Sequence, residues 1–337
     1  MKRLLTFLGT ILVFLCSYPF PADAVLKVIM VTDAAGLGDK GFNDQAWRGA
    51  LRAGEKFGAE VKFIQSREQA DYIPNLTLVA QDADIVISLG FLFTDAVQEA
   101  APRFPDKKFI HIEGDIHLPN VISYDFRSEE AGFLGGVVAA LGTSKGVVGV
   151  VTGMDIPPVQ AYVAGFKAGI LTVNKNMNRS VRDVVVSVGS FNDPLKGKSL
   201  AEHLISLGAD VLFRLCGNSG MGVWEAVKKR EGIYLINEDL DMDDQLPGKI
   251  LASTLKRFDI AVFEGIRSIV QGNFKPGHFW LGADMGGVGI SDMKYSQGHF
   301  TEEERLFITK AKNLLRTQRV PIPAHPGQIT TFNIPEL

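Results

Sequence analysis

The chain has 337 residues, 46% of them hydrophobic and 22% charged, which is a globular composition with enough length for two domains. Its 35 Lys and Arg residues against 38 Asp and Glu residues give a formal net charge of -3, and there is no long basic run. This charge balance disfavours a protein that binds nucleic acid through a basic surface. Neither Cys16 nor Cys216 belongs to a CxxC pattern, and the six His residues are far apart in the sequence. We therefore expect no metal site and no cofactor.

The first residues are typical of a cleaved secretory signal peptide. A basic start at 1–3 is followed by an apolar stretch at 4–16 and by a small-x-small sequence at 22–24. The apolar stretch is shorter than the roughly 20 residues that a transmembrane helix needs. We predict a signal peptide over 1–24, a mature chain that begins near Val25, and a periplasmic location.

Lipid attachment at Cys16 is the alternative mode of export. Lipoprotein processing needs a small residue directly before the modified Cys, and Leu15 is not small. Cleavage after residue 24 would remove Cys16 and leave Cys216 as a lone thiol. We expect Cys216 to be buried, because the simplest state for a free thiol in an oxidising compartment is a buried one.

Short β-branched segments alternate with amphipathic segments in the first part of the mature chain. This alternation predicts a parallel sheet with helices on both faces, which is a doubly wound α/β lobe. The predicted elements are strands at 26–32, 60–64, 84–89, 108–112 and 121–124 and helices at 44–57, 72–81 and 94–103.

A second series of the same kind predicts a second lobe. No Pro- or Ser-rich linker separates the two series, so we expect direct crossings between lobes that close over a ligand like a hinge. After residue 270 the sequence predicts Gly-rich turns before a late helix. The predicted elements of this series are helices at 128–141, 159–173, 194–207 and 221–229 and strands at 147–151, 181–188, 210–215 and 233–236. A strand at 249–253 and helices at 258–270 and 301–315 are also predicted, and further crossings can share them between the two lobes.

Two motifs resemble sequence signatures of cofactor-binding or catalytic sites. Residues 36–41 read G-x-G-x-x-G between a strand and a helix, but Asp33 and Asp39 would set two carboxylates against a dinucleotide's pyrophosphate. Residues 217–221 lack the final Gly of a G-x-S-x-G nucleophile elbow. We predict neither a dinucleotide cofactor nor a catalytic residue.

A dense acidic segment, residues 238–244, directly follows a predicted strand. Its spacing lacks the Gly and the terminal Glu of an EF-hand loop, so we do not predict a calcium site. Two interpretations remain open. The segment is either a solvated acidic turn or part of a ligand site, because open α/β sheets bind ligands beyond the carboxyl ends of their strands.

A set of short blocks extends over nearly the whole mature chain: Asp33 with residues 38–43, Trp47, and residues 90–92, 153–157, 164–169, 189–194, 256–257 and 286–289. Together these blocks resemble the basic membrane protein family. Its members are similar to type I periplasmic binding proteins, in which three crossovers join two Rossmann-like lobes. The resemblance implies a first lobe over 25–123 plus 255–277 and a second over 124–254 plus 278–337.

The best understood members of that family are purine-nucleoside receptors of ABC importers, and the resemblance implies which residues would hold the base. Phe42 and Phe191 resemble the two rings that stack on its faces. Asn43 and Asp125 resemble the hydrogen-bonding partners of its edges. Stacking would supply affinity, and the polar contacts would supply selectivity.

The resemblance also implies the sugar contacts. Asp239 resembles the carboxylate that accepts from the ribose 2′- and 3′-hydroxyls, and Lys256 resembles a second sugar contact. Asp33 and Asp39 complete the predicted set of ligand-binding residues. A carboxylate suits vicinal hydroxyls, since charge-assisted hydrogen bonds are roughly twice as strong as neutral ones. Residues 237–239 read Asn-Glu-Asp where family members commonly read Gly-Val-Asp, which places an extra acid beside the sugar.

We therefore expect a periplasmic solute-binding protein. It would capture a purine nucleoside such as guanosine, inosine or adenosine and deliver it, as a monomer and without catalysis, to an ABC permease in the inner membrane. A binding protein for another small polar solute, such as a sugar or polyol, is the first alternative. A secreted nucleoside-processing enzyme is the second, but the sequence indicates neither an activated nucleophile nor a metal-bound water.

Overall fold

A computed structural model describes residues 25–317 and 320–337. The predicted signal peptide at 1–24, which contains Cys16, lies outside the described residues. None of the described helices is long and apolar enough to cross a membrane. The described chain folds into two six-stranded sheets with helices packed on them.

The strands are short, and the central ones are almost completely buried, as their β-branched composition predicts. In chain order they are β1 (Lys27–Thr32), β2 (Glu60–Gln65), β3 (Ile85–Leu89), β4 (Lys108–Ile112), β5 (Val121–Phe126), β6 (Val147–Thr152), β7 (Arg182–Ser187), β8 (Val211–Leu215), β9 (Tyr234–Asn237), β10 (Ile250–Lys256), β11 (Gly277–Leu281) and β12 (Val288–Ile290).

The helices begin and end at residues suited to those positions. Gly58 follows α1 with a φ of 68°, and its N–H bonds to the carbonyl of Gly54. Thr301 and Glu304 form a capping box at the start of α9. In chain order the helices are α1 (Phe42–Phe57), α2 (Tyr72–Asp82), α3 (Thr94–Ala100), α4 (Ser128–Gly142), α5 (Pro157–Asn176), α6 (Pro194–Ser206), α7 (Gly220–Lys228), α8 (Phe258–Val270) and α9 (Glu302–Arg316).

Both sheets have the same strand order. The first is β11-β5-β4-β3-β1-β2 and the second is β12-β10-β9-β8-β6-β7. Each sheet starts near its middle and winds first to one side and then to the other, which is a flavodoxin-like order. The first sheet with α1, α2, α3 and α8 is the first lobe, and the second sheet with α4 to α7 and α9 is the second lobe. The prediction of two Rossmann-like, doubly wound lobes is confirmed.

The chain crosses between the sheets three times. It leaves the first sheet after Phe126, returns to the first lobe after Lys256 and leaves it again after Leu281. The lobe boundaries predicted at 123/124 and 254/255 lie inside β5 and β10, because both strands continue beyond the predicted strand ends.

The third predicted boundary, 277/278, falls at the start of β11, which pairs in parallel with β5 in the first sheet. This strand and β12 occupy the segment where the sequence indicates only Gly-rich turns. β11 is a half-exposed edge strand, and β12 has three residues and pairs antiparallel with β10. β11 contains no β-branched residue, and β12 offers only Val288 and Ile290 on either side of a glycine, which is too short a pattern to predict a strand.

Candidate ligand-binding site

A cavity lies between the two lobes at the carboxyl ends of both sheets and encloses about 690 Å³ of space, part of it open to solvent. In the first lobe it is lined by residues that follow β1 and β3, including Asp33 and Gly90. In the second lobe it is lined by residues that follow β6 and β8, including Ile156 and Gly217, and by Phe191, which follows the edge strand β7. These are the points where each doubly wound sheet reverses direction, which is where such sheets bind ligands.

Most of the predicted site residues meet at this cavity, although they come from four separate parts of the sequence. Two do not line it: Asp39 lies behind Asn43, and Asp125 lies elsewhere. The predicted residues that line the cavity are Asp33, Phe42, Asn43, Phe191, Asp239 and Lys256.

The two predicted aromatic residues line the cavity from opposite lobes. Phe42 is the first residue of α1, and its ring packs edge-on against Phe258 at 4.6 Å between centroids. The ring of Phe191 lies directly against Gly153, where a Cβ atom would come within 2.3 Å of it. Only glycine leaves room for the ring at that position. Phe91 adds a third ring that the sequence analysis did not single out.

Asn43 is held in one orientation by two carboxylates. Its Nδ2 donates to Asp33 Oδ1 and to Asp39 Oδ2, each at 3.0 Å. Asp39 also accepts from the backbone N–H groups of Gly41, Asn43 and Asp44 and so caps the first turn of α1. The Oδ1 atom of Asn43 is buried and has no partner among the described residues. The side chain is therefore a fixed acceptor at the cavity wall.

Asp33 combines a buried position with several hydrogen bonds. Its Oδ1 accepts from the backbone N–H groups of Ala35 and Gly36 at 3.1 and 3.4 Å, as well as from Asn43. Burial raises the pKa of Asp33 to about 6, although the hydrogen bond from Asn43 opposes this shift. The carboxylate therefore changes charge in the weakly acidic range.

A cluster of polar and charged side chains, Lys256, Glu113, Asp239 and Tyr162, occupies another part of the cavity wall. The side chain of Lys256, at the end of β10, forms an ion pair with Glu113, which follows β4 in the other lobe. Asp239 Oδ1 accepts from the hydroxyl of Tyr162 at 3.2 Å, and its backbone carbonyl accepts from the Lys256 N–H at 3.1 Å. Asp239 and Glu113 both have left-handed backbone conformations, with φ of 63° and 67°. Such strain in non-glycine residues is concentrated at functional sites.

Burial has the largest effect on the pKa values of Asp239 and Lys256 in this polar cluster. It raises the pKa of Asp239 above its ordinary value, and the ammonium of Lys256 only partly opposes the shift. Burial alone would lower the pKa of Lys256, but the carboxylates of Glu113 and Asp239 raise it above its ordinary value. Lys256 is therefore held as a cation between two acids.

Glu238, the extra acid noted in the sequence, also lines the cavity. Its Oε1 accepts from Arg214 Nη2 at 3.2 Å and from the N–H groups of Cys216 and Gly217 at 3.1 and 2.8 Å. Cys216 is buried, as predicted, and burial raises the pKa of its thiol. Asp243 is buried as well and bonds to Ser253. The acidic segment is therefore not a fully solvated turn.

Asp125, predicted to contact the base, does not line this cavity. It lines a second cavity, and its Oδ2 lies 2.9 Å from His278 Nε2. Its placement gives no support to the predicted contact. Sequence reasoning also missed Glu113 and Tyr162. The position of Glu113 directly after a buried strand is a signal that would have found it, whereas Tyr162 lies inside α5 and has no such signal.

Comparison with known proteins agrees with this architecture. Residues 26–321 match the family Bmp, described as ABC transporter substrate-binding protein PnrA-like. An uncharacterized lipoprotein of Pyrococcus horikoshii is 32% identical over 281 residues, which cover 80% of this chain and 69% of the relative. The ABC transporter nucleoside-binding protein BmpA of Lactococcus lactis is 27% identical over 89% of each chain.

The fold has a solved counterpart. The crystal structure of an ABC transporter solute-binding protein from Aeropyrum pernix has a TM-score of 0.82 and 28% identity, and the similarity covers 91% of this chain and 96% of that one. Two lobes joined by three crossings, with a cavity between them, form the architecture of type I periplasmic binding proteins, which confirms that expectation. The chain belongs to the basic membrane protein (Bmp) family of PnrA-like ABC transporter substrate-binding proteins.

Proposed function

We propose that the protein captures a purine nucleoside in the cavity between its lobes and releases it to an ABC permease, without chemical turnover. One observation carries this proposal. Two phenylalanine rings, Phe42 and Phe191, line one cavity from opposite lobes. The carboxylates of Asp239, Glu238 and Glu113 line the same cavity. Flat apolar walls beside a charged acceptor suit a ligand with an aromatic base and a polyhydroxylated sugar.

The base would lie between the rings, with its edge toward Asn43 and Asp33. Both side chains offer oxygen acceptors there, because the amide hydrogens of Asn43 are already used within the wall. A base edge with N–H donors fits such a wall, which favours guanosine and inosine, both of which carry a ring N–H. Adenosine would offer its exocyclic amine.

The ribose would lie toward Asp239 and Lys256. Asp239 retains acceptor capacity beyond its hydrogen bond from Tyr162, so it can accept from vicinal hydroxyls. The nucleoside-binding protein of L. lactis supports this assignment at the family level.

A direct test is to identify the small molecules released when the protein, purified from its native host, is denatured. We expect mass spectrometry to find a purine nucleoside in near-stoichiometric amount. Release of a hexose or pentose instead would overturn the nucleoside assignment, and the polar cluster around Lys256 would then serve a sugar or polyol.

We further propose that the protein is exported as a monomer through cleavage of residues 1–24 and acts in the periplasm. Some relatives are named lipoproteins, so lipid attachment at Cys16 is the competing outcome. Intact-mass measurement of protein from the native host distinguishes the two. We expect a chain that begins at Val25, and a diacylated Cys16 as the first residue would overturn the cleaved form while leaving the binding site unaffected.

A further inference from the structure

Three side chains with metal-ligating atoms meet at the surface of the first lobe, outside the cavity between the lobes. Asp115 and His117 lie in the segment between β4 and β5, and His278 lies on β11. One ligand atom from each lies within 4.8 Å of the other two. Asp115 Oδ1 is 2.7 Å from His117 Nε2 and 3.2 Å from His278 Nδ1. No local sequence pattern indicates this cluster, because β11 brings His278 to the other two residues only in the folded chain.

His278 is fixed in position by a second carboxylate. Its side chain is 9% exposed, and its Nε2 lies 2.9 Å from Asp125 Oδ2. A proton on Nε2, donated to Asp125, leaves the lone pair of Nδ1 directed toward Asp115. A carboxylate that holds the outer nitrogen of an imidazole is the usual second-sphere arrangement of a metal-bound histidine.

We propose that Asp115, His117 and His278 bind a divalent transition-metal cation of the zinc class, with Asp125 as the positioning residue for His278. Imidazole nitrogens with a carboxylate oxygen are ligands that zinc and copper accept. With metal–ligand bonds of about 2.0 to 2.1 Å at tetrahedral angles, two ligand atoms lie roughly 3.3 Å apart. The 3.2 Å between Asp115 Oδ1 and His278 Nδ1 is already close to that separation.

The other two ligands can adjust to a cation at low cost. The side chains of Asp115 and His117 are 63% and 73% exposed, so they can rotate without disturbing the core. Three protein ligands leave a fourth position open to water or to a small ligand. Asp115 lines a second cavity, which shares Phe91 and Pro158 with the cavity between the lobes.

The alternative occupant of this cluster is a proton. A protonated His278 between Asp115 and Asp125 would be a charge-paired imidazolium, and it would need no metal. The two interpretations differ in what they require of His117, which contributes a ligand to a cation but does not contact His278 through a hydrogen bond.

The test is calorimetric titration of the tag-free mature chain with zinc chloride after treatment with a chelator. We expect one saturable site per chain. His117→Ala and Asp115→Asn should each lower the affinity for zinc by about 10- to 100-fold or more. Asp125→Asn, which removes the positioning carboxylate, should lower it by about tenfold. His203→Ala, at an exposed histidine on α6, is the matched control and should leave zinc binding unchanged. Absence of saturable zinc binding, or equal binding by His117→Ala and the intact chain, would overturn the proposal.

A second readout locates the cation. The ring of Trp280 lies 5.3 Å from that of His278, so Cu²⁺ bound at this cluster should quench its fluorescence. Trp280→Phe should remove most of this quenching while zinc still binds. If quenching by Cu²⁺ persists in Trp280→Phe and is equally strong in His117→Ala, the cation binds elsewhere and the proposed site is wrong.

Discussion

Asn192 of the second lobe donates a hydrogen bond from its Nδ2 to the backbone carbonyl of Ala34 in the first lobe, over 2.9 Å. A second such bond runs from Arg214 Nη2 to the carbonyl of Asp39 at 3.2 Å. Both join the lobes beside the cavity. These contacts therefore hold the two lobes together beside the cavity and favour closure independently of any contact with a ligand.

The contact made by Asn192 should contribute to ligand affinity through closure alone. We expect Asn192→Ala to weaken binding by about 0.5 to 1.5 kcal/mol, or roughly two- to tenfold in Kd, because a ligand must then close the lobes without this hydrogen bond. Asn273→Ala, at an exposed residue between α8 and β11, is the matched control. A Kd for Asn192→Ala equal to that of the control would contradict a closing role.

The rings of Phe42 and Phe191 should stack on the base. Replacing either ring with Ala should weaken the binding of nucleosides and of their free bases to the same extent, by about 1 to 3 kcal/mol, which is the scale of base–aromatic stacking. Calorimetry with both ligand types measures this. Phe63→Ala, at a half-exposed ring on β2, should change neither affinity. Loss of nucleoside affinity alone would mean that the rings do not contact the base.

The turn after β1 could be predicted as part of the site because its residues form one contiguous block that resembles the motif of a known family. Asp33, Phe42 and Asn43 lie within that block, and the cavity brings all three together. The partners of Lys256 could not be predicted in the same way. Its ion pair with Glu113 depends on how two separate sheets face each other, and no local pattern encodes that.

The regular βα alternation predicted every strand of the sheets except β11 and β12. Both are edge strands from a Gly-rich segment, and β11 exposes Phe279 and Trp280. Their pairing comes from tertiary contacts with β5 and β10. Because β11 was not predicted, the third lobe boundary was placed at 277/278, and the contacts of His278 with Asp115 and Asp125 were not anticipated.

Asp239 should recognise the sugar hydroxyls. We expect Asp239→Asn to weaken ribonucleosides by about 1.5 to 3 kcal/mol, the scale of a hydrogen bond to a charged group, and to spare 2′,3′-dideoxynucleosides. Asparagine preserves the shape and tolerates the left-handed backbone at this position. Asp241→Asn, in the same acidic segment but exposed, is the matched control. Equal losses of affinity for ribonucleosides and dideoxynucleosides would show that Asp239 does not contact the sugar hydroxyls.

Asp33 should make stability depend on pH. Its pKa in the folded state, about 6, is above the ordinary value of roughly 4, so the folded state binds more protons between these values. The free energy of unfolding therefore falls as pH rises through this window, and the penalty is complete above about pH 6. Asp33→Asn should be more stable than the native chain by about 1 to 2 kcal/mol at pH 7.5, with little difference at pH 4.

Urea unfolding at both pH values measures this difference. Asp241→Asn again serves as the control, since it removes one acidic group from an exposed position. A stability gain for Asp33→Asn that is the same at pH 4 and pH 7.5 would show that the effect does not come from ionisation of Asp33.

Titration of ligand-free protein with nucleosides and sugars tests the central claim most directly. After unfolding, dialysis and refolding, we expect guanosine, inosine or adenosine to bind saturably at one site per chain. At one hundred times its Kd, the ligand should stabilise the fold by about 2.7 kcal/mol, which raises the melting temperature by several degrees. Saturable binding of a hexose or pentose, with no heat and no thermal shift from any common nucleoside, would contradict the account.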